Sequence, residues 1–267
     1  MAPHRSPISA RIVAFASIAL VGLMLMSAAQ AACTGPVAHR PGPVRLAAAV
    51  PEGAVAITFL GHASFLFESP AGVRIVTDYN DAIRAAVTPD IVTMNNAHPT
   101  HYSDAVEPGV KYILRGWDPD GGIASHRLEY RDVRIHNVPT NVRELGGTRY
   151  NGNSIFVFDI ADLCIGHLGH LHHTLTQTHL AELGTIDIVM VPIDGVWTLN
   201  QNDMIEVVQQ IKPKIVIPMH IFTHATLDKF LTRIGDLYRV RNLTSSTIVL
   251  SRSDLPETPE ILVLRGG

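Results

Sequence analysis

Short apolar stretches alternate with polar turns from about residue 54 to the end of the chain. Stretches of β-branched and apolar residues are typical of strands, whereas apolar residues spaced three and four apart are typical of helices. The pattern predicts strands over residues 55–60, 64–68, 73–77, 91–94, 133–138, 155–159, 163–166, 186–191, 215–218, 246–250 and 261–264. It predicts helices over residues 176–183, 202–211 and 227–237. A strand-rich front half and an alternating back half favour two packed sheets with helices outside, an α/β sandwich.

The first thirty-one residues have the layout of a secretory signal peptide. Arg5 and Arg11 precede an apolar run over 12–26, and small residues lead to a cleavage point near Ala31. The run is shorter than the roughly 18 to 20 residues that span a bilayer, so a cleaved signal over 1–31 is favoured over an uncleaved anchor. The mature chain is therefore expected in the periplasm or outside the cell.

Residues 32–53 contain several prolines and glycines and no apolar periodicity, so they predict a linker that leads into one folded domain over 54–267. Cys33 follows the cleavage point and makes a lipid anchor a further alternative, although the residues before it match a lipidation signal poorly. An oxidising compartment would permit a Cys33–Cys164 disulfide. Because Cys164 lies in an apolar stretch, a buried free thiol is the favoured interpretation.

Composition excludes several classes of protein. With 46% hydrophobic residues the chain is expected to fold rather than to be disordered. Two cysteines cannot form a disulfide-rich scaffold or a thiolate zinc finger. The net charge of −3 and the lack of a basic stripe argue against a nucleic-acid partner. We expect a small-molecule substrate and no membrane association beyond the N-terminus, while the oligomeric state stays open.

Histidines are the unusual feature of the composition, because 14 of them are present and they outnumber the lysines. His98 and His101, His167 and His170, and His220 each follow a short predicted strand. Ligands gather at the carboxyl ends of such strands, and neutral imidazole is a common zinc ligand. Three imidazoles from three loops predict a tetrahedral metal site with one position open to water.

Six short segments of the domain occur in an order that is known from one protein family. They are Leu60-Gly61-His62-Ala63-Ser64-Phe65, Ile75-Val76-Thr77-Asp78, Pro89-Asp90-Ile91-Val92, His167-Leu168-Gly169-His170, Val189–Pro192 and Pro213-Lys214-Ile215-Val216-Ile217-Pro218-Met219-His220. Together they resemble the metallo-β-lactamase-fold hydrolases, in particular the branch of small metal-dependent hydrolases. The resemblance implies a four-layer αββα sandwich with the metal site on one edge.

Several metal ligands of that family are replaced in this chain. The family's loop H-x-H-x-D-H has Asn96 in place of the first histidine and Thr100 in place of the aspartate. Asn141 stands where the family has a histidine after a Val-Pro pair, and His170 stands where it has a bridging aspartate. One family metal site therefore keeps only His98 as an imidazole, and one imidazole with two amides makes a poor divalent-metal site.

The other family site keeps three imidazoles, because the change to His170 supplies one. The resemblance therefore implies a single metal ion held by His101, His170 and His220, with His98 as a fourth ligand or a base. Such a set suits zinc, with iron, copper, nickel or manganese as alternatives. The ion would activate a water for attack on an ester, lactone, amide or phosphodiester.

With Thr100 in place of the family's aspartate, His98, Asp78 or Asp194 is expected to act as the base or to orient the water. The residues expected to line the pocket are His62, Asn96, Thr100, Asn141, His167 and Trp197. Structural roles are the alternatives for some of these: loop capping by Asp78, a backbone contact for His62, and ordinary packing for Trp197.

A second hypothesis comes from a different functional class. The replaced ligand positions favour a catalytically inactive metal- or ligand-binding protein on the same fold. The gain of His170 where an aspartate is lost favours a working hydrolase instead.

Overall fold

Two β-sheets packed face to face form the body of the protein. The computed structural model describes residue 1, residues 30–31 and 35–36, and residues 50–266. The predicted signal peptide and linker therefore lie largely outside the described residues, as does Cys33. Within the described residues, no helix has both the length and the apolar character needed to cross a bilayer.

The elements follow the predicted order, with additional strands. The strands are β1 (Gln30–Ala31), β2 (Gly35–Pro36), β3 (Ala54–Gly61), β4 (Ser64–Glu68), β5 (Arg74–Val76), β6 (Ile91–Met94), β7 (Tyr112–Arg115), β8 (Arg127–Tyr130), β9 (Val133–Glu144), β10 (Gly147–Ile160), β11 (Leu163–His167), β12 (Ile188–Pro192), β13 (Ile215–Met219), β14 (Arg239–Asn242), β15 (Thr247–Ser251) and β16 (Glu260–Val263). The helices are α1 (Gln177–Leu183), α2 (Gln201–Ile211) and α3 (His224–Ile234), and a short 3₁₀ helix spans Arg252–Asp254.

The strands form one eight-stranded and one six-stranded sheet, besides the small antiparallel pair of β1 and β2. The larger sheet has the order β14-β16-β13-β12-β11-β10-β9-β8, and the smaller has the order β15-β3-β4-β5-β6-β7. Strands β11, β12, β13, β16 and β14 run parallel to one another, as do β5, β6 and β7. The carboxyl ends of each parallel set lie on one edge, which is where the functional side chains collect.

The main core lies between the two sheets. It contains fully buried phenylalanines of both sheets, among them Phe67 on β4 and Phe158 on β10, whose ring centroids lie 5.0 Å apart. A second core lies between the outer face of the larger sheet and the three helices. There α2 contributes Met204, and α3 contributes Phe230 and Ile234.

Side-chain caps decide where the helices begin. The Asn200 side chain accepts the backbone N–H groups of Asn202 and Asp203 at the start of α2. Thr223 caps α3 in the same way by accepting the N–H of Thr226. This cap starts α3 at His224, which is three residues before the helix start that apolar spacing predicts.

Irregular segments, rather than helices, cover the outer face of the six-stranded sheet. Its apolar residues include Val76, Val92 and Met94, and they pack against Tyr79 and other residues of the irregular segments 79–90 and 95–110, which lie on either side of β6. Among the described residues no helix lies in these segments. The predicted α/β sandwich is confirmed, with a loop layer over this sheet in the place of an outer helix.

Cys164 on β11 is buried and disulfide-bonded, so the free thiol favoured by the sequence is wrong. The apolar run around Cys164 reflects its position in a fully buried strand, and burial of a cysteine does not distinguish a thiol from a disulfide.

Candidate metal centre

Histidine rings from both sheets meet at the edge where the parallel strands end. The cluster consists of His62, His98, His101, His170, His172 and His220. His62 lies in the turn between β3 and β4, while His101 follows β6 and His220 follows β13. One group of three in the described part of the chain has the closeness of metal ligands: ring nitrogens of His62, His101 and His220 all lie within 4.8 Å of one another.

A carboxylate fixes the orientation of His101. The ring Nδ1 donates to Oδ2 of Asp78 at 2.7 Å, and both side chains are fully buried. Oδ1 of Asp78 accepts the backbone N–H of Asn95, so both carboxylate oxygens are bound. With its proton on Nδ1, the His101 ring presents the lone pair of Nε2 to the cluster. Burial raises the pKa of Asp78 to about 6 and holds the pKa of His101 well below its usual value.

A second carboxylate stands behind His220. Oδ1 of Asp194 lies 3.0 Å from Nδ1 of His220, and Oδ2 accepts the backbone N–H groups of Val196, Trp197 and Thr198. The Thr198 hydroxyl also donates to Asp194. Burial alone would raise the pKa of Asp194, but the His220 ring and these donors outweigh it and lower that pKa. Asp194 is therefore a carboxylate that contacts the His220 ring and binds the backbone of the loop after β12.

Unpartnered nitrogen atoms mark the centre of the cluster. Nε2 of His62 and Nε2 of His220 are buried and form no hydrogen bond, whereas Nδ1 of His220 faces the Asp194 carboxylate. Buried polar atoms without partners are rare in folded proteins, and lone pairs that converge in one place suit a metal ion. Burial, and then the nearby His220 and His101, lower the pKa of His62 to about 3, which keeps that ring neutral and able to act as a ligand.

The backbone at the cluster is held in unusual conformations. His62, Asp78 and His220 have φ values of 52°, 43° and 58°, in the left-handed region that residues with a Cβ seldom adopt. The backbone N–H of His220 donates to the carbonyl of His62 at 2.7 Å. This bond joins a turn of the smaller sheet to the end of a strand in the larger one, and it places the two rings 4.0 Å apart between centroids.

His170, expected to be a ligand, contacts His101 directly. Its Nδ1 lies 3.0 Å from Nε2 of His101, and its backbone N–H donates to Oδ1 of Asn153. Its ring centroid lies 4.7 Å from that of His101 and 5.6 Å from that of His220. Burial and the neighbouring histidines lower the pKa of His170 to about 2. The predicted triad of His101, His170 and His220 stays a prediction. The structure instead brings ring nitrogens of His62, His101 and His220 together.

The two amides at replaced ligand positions are used to shape the backbone. Nδ2 of Asn96 donates to the carbonyl of Gly152, and Oδ1 of Asn141 accepts the N–H of Asn151. The Asn96 contact joins the loop after β6 to the hairpin of β9 and β10, whereas the Asn141 contact lies within that hairpin.

His98 and Thr100 lie on the solvent side of the cluster. Nδ1 of His98 is 2.9 Å from the Thr100 hydroxyl, and the His98 ring stacks on His170 with centroids 5.6 Å apart. His98 is exposed, unlike the buried His101 three residues further on. Burial, and then His220, lower the pKa of His98, so it too is neutral near pH 7.

His167 is placed beside the site but has a structural role. Its Nε2 donates to the carbonyl of Ala63 at 2.8 Å, and its Nδ1 accepts the N–H of Gly169. Both ring nitrogens are thus satisfied, and the side chain is fully buried. Gly169 has a φ of 59°, and a Cβ there would lie 2.4 Å from Cβ of Asn95, so the chain needs glycine at this turn.

Sequence reasoning missed some residues of the site. Phe222 contacts the rings of His62 and His220, with centroids 5.6 Å and 4.9 Å away. His172 lies 4.8 Å from His170 between centroids, and both of its ring nitrogens are buried without a partner. The sequence signal that could have identified Phe222 is its position two residues after His220. Trp197 is 65% exposed, so ordinary packing is not its role.

Comparison with known proteins gives the family. The sequence model of the beta-lactamase superfamily domain matches residues 56–220, which include all of the clustered histidines. The chain belongs to the β-lactamase superfamily. The predicted resemblance is confirmed, and the superfamily fold agrees with the observed sandwich.

Named relatives within the β-lactamase superfamily are metal-dependent hydrolases. The chain is 26% identical over 209 residues to such a protein of Thermococcus kodakarensis, with 68% of this chain and 93% of that protein covered. It is 28% identical over 213 residues to one of Pyrococcus horikoshii, with the same shares covered.

Solved structures show the same fold. A Thermotoga maritima protein described as a Zn-dependent hydrolase has a TM-score of 0.58 and 29% identity, covering 79% of this chain and 98% of that one. A metallohydrolase of Ignicoccus hospitalis has a TM-score of 0.56 and 18% identity, covering 74% and 99%.

Proposed function

We propose that this superfamily member is a secreted hydrolase that uses one divalent metal ion, held by His62, His101 and His220, to cleave an ester, lactone, amide or phosphodiester. The observation that carries the proposal is the group of three converging imidazoles, two of which have buried nitrogens without partners. The metal-dependent hydrolases of Thermococcus kodakarensis and Pyrococcus horikoshii support it.

The donor set fits a metal ion in its chemistry. All three side chains are imidazoles, and Asp78 and Asp194 contact the Nδ1 atoms of His101 and His220, as carboxylates do with metal-bound histidines. Neutral nitrogen donors in a set of three suit zinc, with iron, copper, nickel and manganese as alternatives. A bound ion would supply Lewis acidity, which polarises the scissile group and makes water more acidic.

One ion rather than two follows from the use of the amides. A second ion would need ligands near Asn96 and Asn141, but both side chains are engaged with the backbone of the hairpin. His98 alone remains of that family site. His98 is therefore available for a role other than metal binding.

His98 is the proposed proton acceptor. Asp78 and Asp194, the other two candidates, are each bound to a ligand histidine, and Asp78 is fully buried. Nδ1 of His98 lies 2.9 Å from the Thr100 hydroxyl and, at 3.5 Å, within reach of the Thr100 backbone N–H. In the tautomer in which Nδ1 donates to the hydroxyl and gives up the longer contact, Nε2 keeps its lone pair. That lone pair can take a proton from the attacking water. Asp78 and Asp194 are accordingly positioning residues.

Secretion is part of the proposal. The basic start, apolar run and small residues up to Ala31 support export, and the disulfide at Cys164 supports an oxidising compartment. Cleavage near Ala31 would leave Cys33, the only other cysteine of the sequence, in the mature chain.

Metal content and hydrolysis of the purified exported protein test the proposal together. We expect about one metal ion per chain, loss of that ion in His62→Ala and His220→Ala, and retention in the control His173→Ala, whose ring caps the backbone N–H of Asn141. A screen of ester, lactone, amide and phosphodiester substrates should give a turnover that a chelator removes. Two ions per chain would contradict the single site, and metal loss in His170→Ala but not in His62→Ala would favour the predicted triad instead.

The inactive binding protein is the second candidate, and Thr100 favours it. Its hydroxyl contacts His98 and cannot supply the carboxylate that the family has at this position. Stoichiometric metal binding without turnover of any substrate class in the screen would establish this alternative.

A further inference from the structure

Three large apolar side chains are exposed on the two loops that carry Asp194 and His220. Val196, Trp197 and Phe222 are 71%, 65% and 54% exposed. Val196 and Trp197 lie in the loop after β12, and Phe222 follows β13. We call these three side chains the apolar rim.

The apolar rim is attached directly to the residues that form the centre. The backbone N–H groups of Val196 and Trp197 donate to Asp194, which stands behind His220. The Phe222 ring packs edge-on against His220, with centroids 4.9 Å apart and an interplanar angle of 84°. The rim therefore flanks the Asp194–His220 pair on the loops that carry both residues.

The contacts that hold these loops do not need the rim side chains. Val196 and Trp197 bind Asp194 through backbone groups, so their side chains are left in water without a structural task. Tryptophan and phenylalanine are usually well buried, and exposed apolar surface beside a pocket marks a binding surface. Phe222 packs on the rings of His62 and His220, so a molecule that covers Phe222 also reaches the metal centre.

We propose that the apolar rim binds an acyl chain or aromatic group of the substrate, so that the enzyme selects esters, lactones or amides with a large apolar substituent. This inference rests on the proposed function, because it assumes that the bound molecule is hydrolysed. The binding measurement itself does not require hydrolysis. Each fully buried methylene strengthens binding about fourfold, so affinity should rise with the length of the apolar chain.

Calorimetric titration of the metal-loaded exported protein with decanoate and with butyrate tests the proposal. These carboxylates have the form of hydrolysis products and differ only in chain length. We expect decanoate to bind at least about tenfold more tightly than butyrate. Trp197→Ala should weaken decanoate binding several-fold, with butyrate binding unchanged, and Trp197→Phe should restore most of it.

Two further variants complete the test. Phe222→Leu keeps an apolar contact on His220 and should weaken decanoate binding less than Phe222→Ala, with metal content measured for both. Leu237→Ala removes an exposed apolar side chain that follows α3, and it should bind decanoate as the unmodified protein does.

Equal affinity for decanoate and butyrate, or decanoate binding unchanged in both Trp197→Ala and Phe222→Ala, would overturn the proposal. Chain-length-independent binding together with sedimentation on phosphatidylcholine vesicles that Trp197→Ala abolishes would overturn it in favour of a lipid surface. Chain-length-dependent binding by a protein without hydrolytic turnover would uphold the apolar rim and defeat only the proposed hydrolysis.

Discussion

Nδ1 of His101 donates to Oδ2 of Asp78 at 2.7 Å, and neither side chain is accessible to water. The other oxygen of Asp78 accepts the N–H of Asn95, so the carboxylate receives one donor on each side. An isolated buried carboxylate is costly, and the two donors offset that cost. The pair thus determines both the tautomer and the direction of the His101 ring.

Asp78→Asn should weaken metal binding about 10- to 100-fold. Asparagine tolerates the positive φ at this position, but its amide has one acceptor atom for two donors. One of the two hydrogen bonds is therefore lost and a donor faces a donor. Competition with a chromophoric zinc chelator measures the affinity. Asp81→Asn is the matched control, because that carboxylate is 70% exposed and binds Arg84. Equal affinity in both variants would refute the positioning role.

His167→Ala should lower the free energy of unfolding by about 2–4 kcal/mol while leaving one metal ion per folded chain. The substitution leaves a cavity and unpairs the carbonyl of Ala63 and the N–H of Gly169. Urea unfolding of the metal-free protein, with metal content determined separately, distinguishes this residue from the ligands. Loss of the metal from a folded His167→Ala protein would show that His167 is a ligand.

Asp90→Asn should lower stability by at most about 1 kcal/mol near neutral pH. Burial opposes ionisation of Asp90, but hydrogen bonds from Lys111 and from the N–H of Arg74 outweigh it and lower its pKa. A carboxyl with a lowered folded pKa adds stability above its unfolded pKa and loses it as the pH falls through the folded value. The difference between the two proteins, followed by urea unfolding from pH 7 downward, should shrink in acid. A difference that grows in acid would contradict the assignment.

Non-reducing peptide mapping of the exported protein should yield Cys33 joined to Cys164. Cys164 is disulfide-bonded, and Cys33 is the only other cysteine in the sequence. A sulfur atom in a disulfide cannot also carry a lipid, so the same experiment decides the lipid-anchor alternative. Recovery of a lipid-modified Cys33 peptide would overturn both the cross-link and the expectation of a released protein.

The sequence predicts strands well where both faces are buried. The stretch 188–192 is apolar at every position because β12 lies inside the larger sheet with helices on one face and the other sheet behind it. The missed strands β7, β8 and β14 all lie at sheet edges, where one face meets water and charged residues interrupt the apolar run. These three strands therefore lack the continuous apolar run that identifies a strand in the sequence.

The sequence predicts which strand ends carry the site, but it does not predict which side chains meet there. His101 and His220 follow strands β6 and β13, and that position alone indicates them. His62 lies in a tight turn between antiparallel strands, where no strand-end rule applies, and its inward direction depends on a left-handed backbone. His170 meets the rule, yet its Nδ1 faces His101. Side-chain direction is fixed by contacts with other loops, which local sequence does not contain.

The hydrogen bond from the His220 backbone to the His62 carbonyl joins the two sheets at the metal centre. Because the proposed ligands come from both sheets, the spacing between the sheets sets the distances between their ring nitrogens. Substitutions in the intervening core, such as at the Phe67–Phe158 contact, can therefore alter metal preference from a distance. Metal selectivity at the proposed site would then depend on the thickness of the sandwich, and it could evolve without a change in any of the proposed ligands.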